Sequence, residues 1–190
     1  MHTDLRRAAF VGAADELFLE RGFANTGVGD IAQRVGVTRS LFYHYFKDKQ
    51  AITDAVIDKR VDAFMEYIQS WTESLKGPTI QDALTGLVGI VRSYLTGPDS
   101  LGYRIVREQD ASLYHRFIVR SSQILSEYFV NSAGMDGALI EITNTRHPKE
   151  SFYVLALGIL NMLIEDSEVP DEVVADIMAD ALGIRMEHPL

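Results

Sequence analysis

The sequence predicts an all-α protein of about nine helices. Apolar residues recur at three- and four-residue spacing along most of the 190-residue chain, which is the period of amphipathic helices. Glycine, alone or followed by proline, ends these stripes, as at Gly36, Gly77-Pro78, Gly97-Pro98 and Gly183. With 47% hydrophobic and 24% charged residues, the chain has the composition of a globular domain that can bury a core.

Three helices are predicted within the first fifty residues. An apolar stripe over residues 10–18 indicates the first helix, and the glycine after it permits the left-handed conformation that often ends a helix. Thr26 is the expected N-cap of a second helix over residues 28–35, and Thr38 is the expected N-cap of a short third helix. The apolar side of this third helix consists of Leu41, Phe42 and Tyr45.

Further stripes predict the rest of the fold. Asp48 begins a long fourth helix that reaches Trp71, and a fifth helix begins near Thr79. A short segment over residues 101–107 precedes a helix over residues 113–128. Residues 152–163 form the eighth stripe, and Pro170, whose fixed φ suits a first helical position, begins the ninth helix.

Charge is distributed unevenly along the chain, whose formal net charge is −9 at pH 7. Residues 1–50 hold seven Lys and Arg against six Asp and Glu, whereas residues 51–190 hold eleven against twenty-one. Electrostatic attraction is screened over roughly 8 Å at physiological salt, so a local basic surface can bind phosphates although a distant acidic part does not. The asymmetry is compatible with nucleic acid binding by the first fifty residues, and also with ordinary scatter of charges.

The second and third helices form a helix-turn-helix, because only a tight turn at Gly36-Val37 separates them. The third helix is about 12 Å long at 1.5 Å per residue, which fits the major groove of DNA. Its other side carries hydrogen-bonding residues and no acidic residue, namely Thr38, Arg39, Ser40, Tyr43 and His44. This composition favours a polyanion, and Lys47 and Lys49 could neutralise adjacent phosphates.

The first 52 residues, up to Ile52, resemble the DNA-binding head of the tetracycline-repressor (TetR) family. The matching residues are Thr26, Ile31-Ala32, Gly36-Val37-Thr38, Tyr43-His44-Tyr45-Phe46 and Lys49, preceded by Ala13-Ala14, Leu17-Phe18 and Gly22-Phe23. The rest of the chain is similar to the family only in its helical organisation. Val35 and Ser40 stand where the family often has a small residue and a glycine, which leaves the base preference open.

The resemblance implies a homodimeric transcriptional regulator, most often a repressor that a small ligand releases from double-stranded DNA. It implies that Thr26 and Lys49 hold phosphates, and that Thr38, Arg39 and Ser40 meet bases or phosphates. Tyr43 and His44 would contact the DNA backbone or a thymine methyl group. Helix capping is an alternative role for both threonines, and one hydroxyl can serve both roles.

Two functional parts are expected, a helix-turn-helix DNA-binding domain over residues 1–50 and a ligand-sensing and dimerisation domain over residues 51–190. A helix-turn-helix dimer must hold its two heads about 34–36 Å apart, and the last two helices are the candidates for this interface. The expected interface residues are Leu155, Ile159, Met162, Leu163, Ile177, Met178 and Leu182. The alternative is that these residues are buried within one subunit.

Aromatic residues are frequent in the middle helices, and ligand pockets are mostly apolar with a few placed polar groups. We expect a small apolar or aromatic effector to bind there, to shift the fourth helix and to separate the two heads. The expected ligand-binding residues are Tyr67, Trp71, Tyr94, Tyr103, Arg104, Phe117 and Arg120. Ordinary core packing is the alternative role for each of the aromatic residues.

Catalysis is not expected, and neither a catalytic residue nor a cofactor is predicted. The sequence has no cysteine, and none of its five histidines pairs with another at the spacing of metal ligands. It has no phosphate-binding glycine loop and no nucleophile elbow. No metal site and no membrane span are expected, and the cytoplasm is the expected location. The remaining alternative is a helical protein–protein interaction module without sequence-specific DNA binding.

Overall fold

The computed structural model describes residues 2–75, 79–98, 100–108, 110–131 and 143–184. Within these ranges the chain forms nine helices, which are α1 (His2–Arg21), α2 (Val28–Val35), α3 (Arg39–Tyr45), α4 (Lys49–Ser74), α5 (Ile80–Thr96), α6 (Leu101–Arg107), α7 (Ala111–Asn131), α8 (Pro148–Glu165) and α9 (Asp171–Leu182). The predicted all-α class, with a helix-turn-helix head joined to a larger helical bundle, is confirmed. The predicted break at Gly77-Pro78 lies outside the described residues.

Glycines end three of the described helices, as their positions in the sequence predict. Gly22 after α1 has φ 85°, Gly36 after α2 has φ 74° and Gly183 after α9 has φ 65°. These angles lie in the left-handed region that residues with a Cβ rarely adopt. At Gly36 this conformation turns the chain from α2 into α3 within three residues, which completes the helix-turn-helix.

The N-terminal ends of α2, α3 and α4 agree with the sequence in two cases out of three. The prediction of Thr26 as the N-cap of α2 is wrong, because Gly27 holds that position and its N–H donates to the Asp30 carboxylate at 2.7 Å. Thr38 does precede α3, although its side chain makes no capping hydrogen bond. Asp48 caps α4 as predicted, since its carboxylate accepts the Ala51 N–H at 2.7 Å.

Aromatic packing fixes α3 against α1 in the head, the unit formed by α1 to α3. The ring of Phe10 lies 5.6 Å from that of Phe42 and 6.3 Å from that of Phe46, and none of the three side chains is more than 3% exposed. Burial of each such side chain contributes roughly 1.5–3 kcal/mol. This packing determines which side of α3 faces inward and therefore which side faces solvent.

Helix α4 joins the head to the body, the unit formed by α5 to α9. On the head side, the buried Asp15 of α1 accepts from Lys59 at 2.8 Å and from Arg60 at 2.7 Å. On the body side, Arg116 of α7 donates to both carboxylate oxygens of Asp54 at 3.0 Å. The predicted boundary at residue 50 falls within the first turn of α4, and the division into domains stays a prediction.

The core of the body lies between α5, α7, α8 and α9, with α7 packed along α8 and α5 along α9. Leu163 of α8 and Val174 of α9 are completely buried there. Gly86 allows α4 to approach α5, because a Cβ at this position would lie 2.7 Å from Cζ2 of Trp71. None of the helices in the described ranges is both long and apolar enough to cross a membrane.

Candidate DNA-binding surface and effector cavity

The structure exposes the side of α3 for which the sequence predicts contact with DNA. We call this surface the α3 face and define it by five exposed residues, Thr38, Arg39, Ser40, Tyr43 and His44. The apolar residues of the same helix point the other way, and Phe42 is completely buried. The α3 face therefore presents hydrogen-bonding groups to solvent without an acidic side chain among them.

Arg39 and Tyr43 interact with each other along the α3 face. A guanidinium nitrogen of Arg39 donates to the Tyr43 hydroxyl at 3.1 Å, and the guanidinium carbon lies 5.7 Å from the centre of the ring. This spacing of four residues brings the two side chains together on one side of the helix. The cation is thus held over the surface of α3 before any ligand arrives.

Thr26 and Lys49 are engaged within the head instead. Thr26 is 1% exposed, and its hydroxyl donates to the carbonyl oxygen of Gly22 at 2.8 Å. The ammonium group of Lys49 donates to the carbonyl oxygen of Phe23. Both side chains stabilise the turn after α1, and their predicted role as phosphate ligands stays a prediction.

Glu108, the residue directly after α6, links the body to the same turn of the head. Its carboxylate oxygens accept the backbone N–H of Phe23 at 2.8 Å and that of Ala24 at 3.0 Å. A Cβ at Gly22 would displace this carboxylate, and the φ of 85° at this position also favours glycine. The sequence gives no local sign of this contact, because the hydrogen bonds join residues 84 and 85 positions apart.

Three of the expected ligand-binding residues lie at the surface of the body. Tyr67 is 57% exposed. Arg107 donates to the Tyr103 hydroxyl at 2.8 Å in an exposed pair. Arg120 forms an ion pair with Asp58 of α4, in which one hydrogen bond measures 2.6 Å. None of these three side chains lines the apolar cavity described below.

The other four expected ligand-binding residues lie inside the body or partly so. Phe117 is completely buried and packs in the core, and Trp71 lies against α5. Tyr94 stacks on Phe64 at 4.0 Å, and burial raises the pKa of its hydroxyl. The Tyr94 hydroxyl and Nε of Arg104 are both buried, and neither has a hydrogen-bond partner among the described residues.

An apolar cavity lies elsewhere in the body, between α4, α5, α7, α8 and α9. Its volume is about 60 Å³, and it is partly open to solvent. Its walls include Leu87 and Val88 of α5, Phe129 of α7, Ile159 of α8 and Met178 of α9. None of the seven expected ligand-binding residues lines it. The sequence did not predict these walls, because leucine and valine residues that line a cavity have the same helical spacing as those in a fully packed core.

The expected dimer residues mostly face the interior of the subunit. Ile159, Leu163 and Leu182 are buried, Leu155, Met162 and Met178 are half-buried, and Ile177 is 42% exposed. Leu155, Ile159, Met178 and Leu182 line the apolar cavity. The outer sides of the same two helices expose other apolar residues, Val154 at 67% and Val173 at 45%, which the sequence did not single out.

Comparison with known proteins relates this arrangement to bacterial regulators. The family model for bacterial regulatory proteins of the tetR family matches residues 10–56, which include α2, α3 and the start of α4. The transcriptional activator FasR of Mycolicibacterium smegmatis is 31% identical over 109 residues, which are 56% of this chain and 48% of FasR. The transcriptional regulator TtgR of Pseudomonas putida is 40% identical over 52 residues, 27% of this chain and 25% of TtgR. The chain thus spans about half the length of FasR, and less of TtgR.

Solved structures extend the similarity of fold to nearly the whole chain. RolR in complex with resorcinol matches with a TM-score of 0.70 at 15% identity, over 97% of this chain and 91% of RolR. At this level of identity the match shows a common fold. The family model identifies the head, and the fold agrees over the rest. Residues 10–56 therefore match the tetR family of bacterial regulatory proteins, and the fold of nearly the whole chain is similar to that of RolR.

Proposed function

We propose that the protein is a ligand-responsive transcriptional repressor, which binds a palindromic operator in double-stranded DNA as a homodimer. A small apolar or aromatic effector would release it. The observation that carries this proposal is the α3 face, which is exposed and free of acidic side chains directly after the turn at Gly36. In this proposal residues 1–50 bind DNA in the cytoplasm, and residues 51–190 bind the effector and form the dimer.

Arg39 is the residue of the α3 face best suited to read a base. A guanidinium can donate two hydrogen bonds to O6 and N7 of guanine in the major groove. The contact of Arg39 with Tyr43 already restricts its side chain, which lowers the entropy lost when DNA binds. Ser40 and His44 lie on the same surface and can donate to bases or phosphates.

The outer sides of α8 and α9 support the homodimer. Val154, Val173 and Ile177 are exposed on these two neighbouring helices. Single exposed apolar residues are common on monomers, but three on two neighbouring helices favour a contact with another molecule. A four-helix bundle made of α8 and α9 from two subunits would bury all three. We therefore place the dimer contact on these residues rather than on the buried stripe.

Helix α4 is the element that can carry an effector signal to the DNA. It begins in the head at Lys49, and Ile68 on the same helix lines the apolar cavity, about 28 Å away at 1.5 Å per residue. An effector releases DNA only if it binds the released conformation more tightly than the DNA-bound one. A ligand in the body that displaces α4 meets this requirement.

Substitution of Arg39 tests the proposed function. Selection from random duplexes by the purified protein would first give the operator. We expect Arg39→Ala to weaken operator binding by about 1–3 kcal/mol, roughly 5- to 150-fold, and to affect random DNA much less. Arg146→Ala, at an exposed arginine outside the head, is the matched control and should leave both affinities unchanged.

Two outcomes would contradict this reasoning in different ways. Equal losses on operator and random DNA would make Arg39 a phosphate contact rather than a base contact. If the wild-type protein showed no salt-dependent retention on any DNA, the protein would be an interaction module instead of a regulator that binds DNA.

A further inference from the structure

We propose that the apolar cavity binds a hydrocarbon group that carries no hydrogen-bonding function. This inference rests on the proposed function, because it names the chemical class of the effector. It also stands as a binding site in its own right, whatever the ligand does to DNA. The occupant is a saturated or unsaturated hydrocarbon, either free or as the tail of an amphiphile.

The lining of the cavity determines this class of ligand. In the described part of the chain every side chain that lines it is apolar, including Leu84, Leu87 and Val88 of α5 and Leu160 of α8. A hydroxyl or amide buried among such side chains loses its hydrogen bonds to water and gains none in return. A hydrocarbon loses no hydrogen bonds on entry and buries apolar area. The cavity therefore selects against polar groups by leaving them unpaired.

The size of the cavity indicates that binding moves the surrounding helices. Its volume of about 60 Å³ is smaller than the roughly 150 Å³ of an engineered apolar cavity that admits benzene. A ligand as large as benzene or larger must push its walls apart. Because α5, α8 and α9 all contribute walls, entry of such a ligand pushes these helices apart. This supplies the difference between two conformations that an effector response requires.

Trp71 can report occupation of the cavity without any change to the protein. It is the single tryptophan of the sequence. Its indole lies against Gly86 of α5, next in sequence to the lining residue Leu87. On α4 it follows the lining residue Ile68 by three positions, less than one helical turn. Displacement of α5 by the ligand changes the surroundings of the indole and therefore its fluorescence.

Cyclohexane and cyclohexanol form a matched pair of probes, because they differ by one hydroxyl and neither absorbs where tryptophan is excited. We expect cyclohexane to shift the emission of Trp71 in the full-length protein in a saturable way. Cyclohexanol should bind at least roughly tenfold more weakly, because its hydroxyl finds no partner in the cavity. Equal or tighter binding of cyclohexanol would overturn the proposal.

Filling the cavity from within provides the second arm of the test. Ala156 of α8 lines the cavity, and Ala156→Met extends a flexible apolar side chain into it. This variant should lose cyclohexane binding, whereas Ala111→Met, at an exposed alanine of α7, should keep it. Unchanged binding by a folded Ala156→Met variant would overturn the assignment. If Ala156→Met does not fold, the two cyclohexane derivatives still decide the question in the wild-type protein.

A third probe distinguishes the two sources of the hydrocarbon. Octanoate binding by the wild-type protein and not by Ala156→Met would assign the cavity to the tail of an amphiphile whose charged end stays at the mouth. Cyclohexane binding without octanoate binding would assign it to free hydrocarbons. Binding of neither probe would overturn the proposal. If a probe binds and operator affinity stays the same, the cavity assignment holds and the effector response in the proposed function fails.

Discussion

Glu108 is expected to hold the head against the body, and Glu108→Gln tests this with little change in side-chain size. The carboxylate accepts two backbone N–H groups of the head, those of Phe23 and Ala24. A glutamine oxygen can accept from one of them, but the amide nitrogen that replaces the second oxygen is itself a donor. One of the two N–H groups must then donate to water, and the other donates to the neutral amide oxygen of the glutamine.

The size of the effect follows from these two contacts. A hydrogen bond to a charged group contributes about 1.5–3 kcal/mol, and water competes at this partly exposed position, so the lower end applies to each. The pair then contributes about 3 kcal/mol, and the one neutral bond that remains contributes about 1 kcal/mol. The expected loss in free energy of unfolding is about 2 kcal/mol. For a chain of this length it lowers the melting temperature by about 4–8 °C.

Two measurements test this prediction, the melting temperature from thermal unfolding and the rate of amide hydrogen exchange. The exchange of the Phe23 and Ala24 amides should accelerate in Glu108→Gln, because their acceptor is weakened. Glu168→Gln is the matched control, since Glu168 is exposed between α8 and α9 and its carboxylate has no hydrogen-bond partner in the described chain. The reasoning is refuted if the melting temperature and the protection of both amides match those of the control.

Three further substitutions follow from the structure. Tyr94→Phe should raise the free energy of unfolding by about 1–2 kcal/mol, because it removes a buried hydroxyl without a partner among the described residues. Burial raises the pKa of Tyr94 in the folded state, so the tyrosine of the unfolded chain ionises first as pH rises above about 10. The free energy of unfolding of the wild-type protein should therefore fall above this pH. In melting experiments at alkaline pH, the Tyr94→Phe variant should lack this contribution. Lys49→Ala should weaken binding to all DNA sequences about equally, and in salt titrations it should reduce the slope of log affinity against log salt concentration by about one. It should also lower the melting temperature, because the hydrogen bond from Lys49 to the Phe23 carbonyl oxygen is lost. Val154→Asp should shift the protein from dimer to monomer in sedimentation, whereas Val106→Asp on α6 should not, and equal sedimentation of both variants would contradict the proposed dimer surface.

Local signals in the sequence were sufficient to predict the helices and the α3 face. Gly22, Gly36 and Gly183 end helices because the left-handed conformation is available to glycine at no steric cost. The apolar residues of α3 alternate with polar ones at helical spacing, so burial of Phe42 places Arg39 and His44 on the exposed side. Each of these predictions needs only a few neighbouring residues.

The apolar cavity and the head–body contact depend on distant residues, so the sequence could not show them. Arg120 looked like a polar group for a pocket, but Asp58, 62 positions earlier, pairs with it at the surface. Thr26 looked like an N-cap, but its hydroxyl donates to the carbonyl oxygen of Gly22, and Gly27 holds the cap position. Aromatic content alone does not locate a cavity, because a cavity depends on where packing is incomplete rather than on which residues are present.

The two last helices connect the cavity to the proposed dimer contact. On α8, Leu155 faces the cavity while its neighbour Val154 is exposed, because successive residues of a helix point about 100° apart. A ligand in the cavity that rotates α8 therefore also moves the exposed side of this helix. We expect a rotation about this contact to displace the two heads relative to each other. Hydrogen bonds to bases need donor–acceptor distances of about 2.7–3.2 Å, so a displacement of about 1 Å is enough to break them. We therefore expect effector-dependent DNA release to require both the proposed dimer surface and the proposed hydrocarbon site.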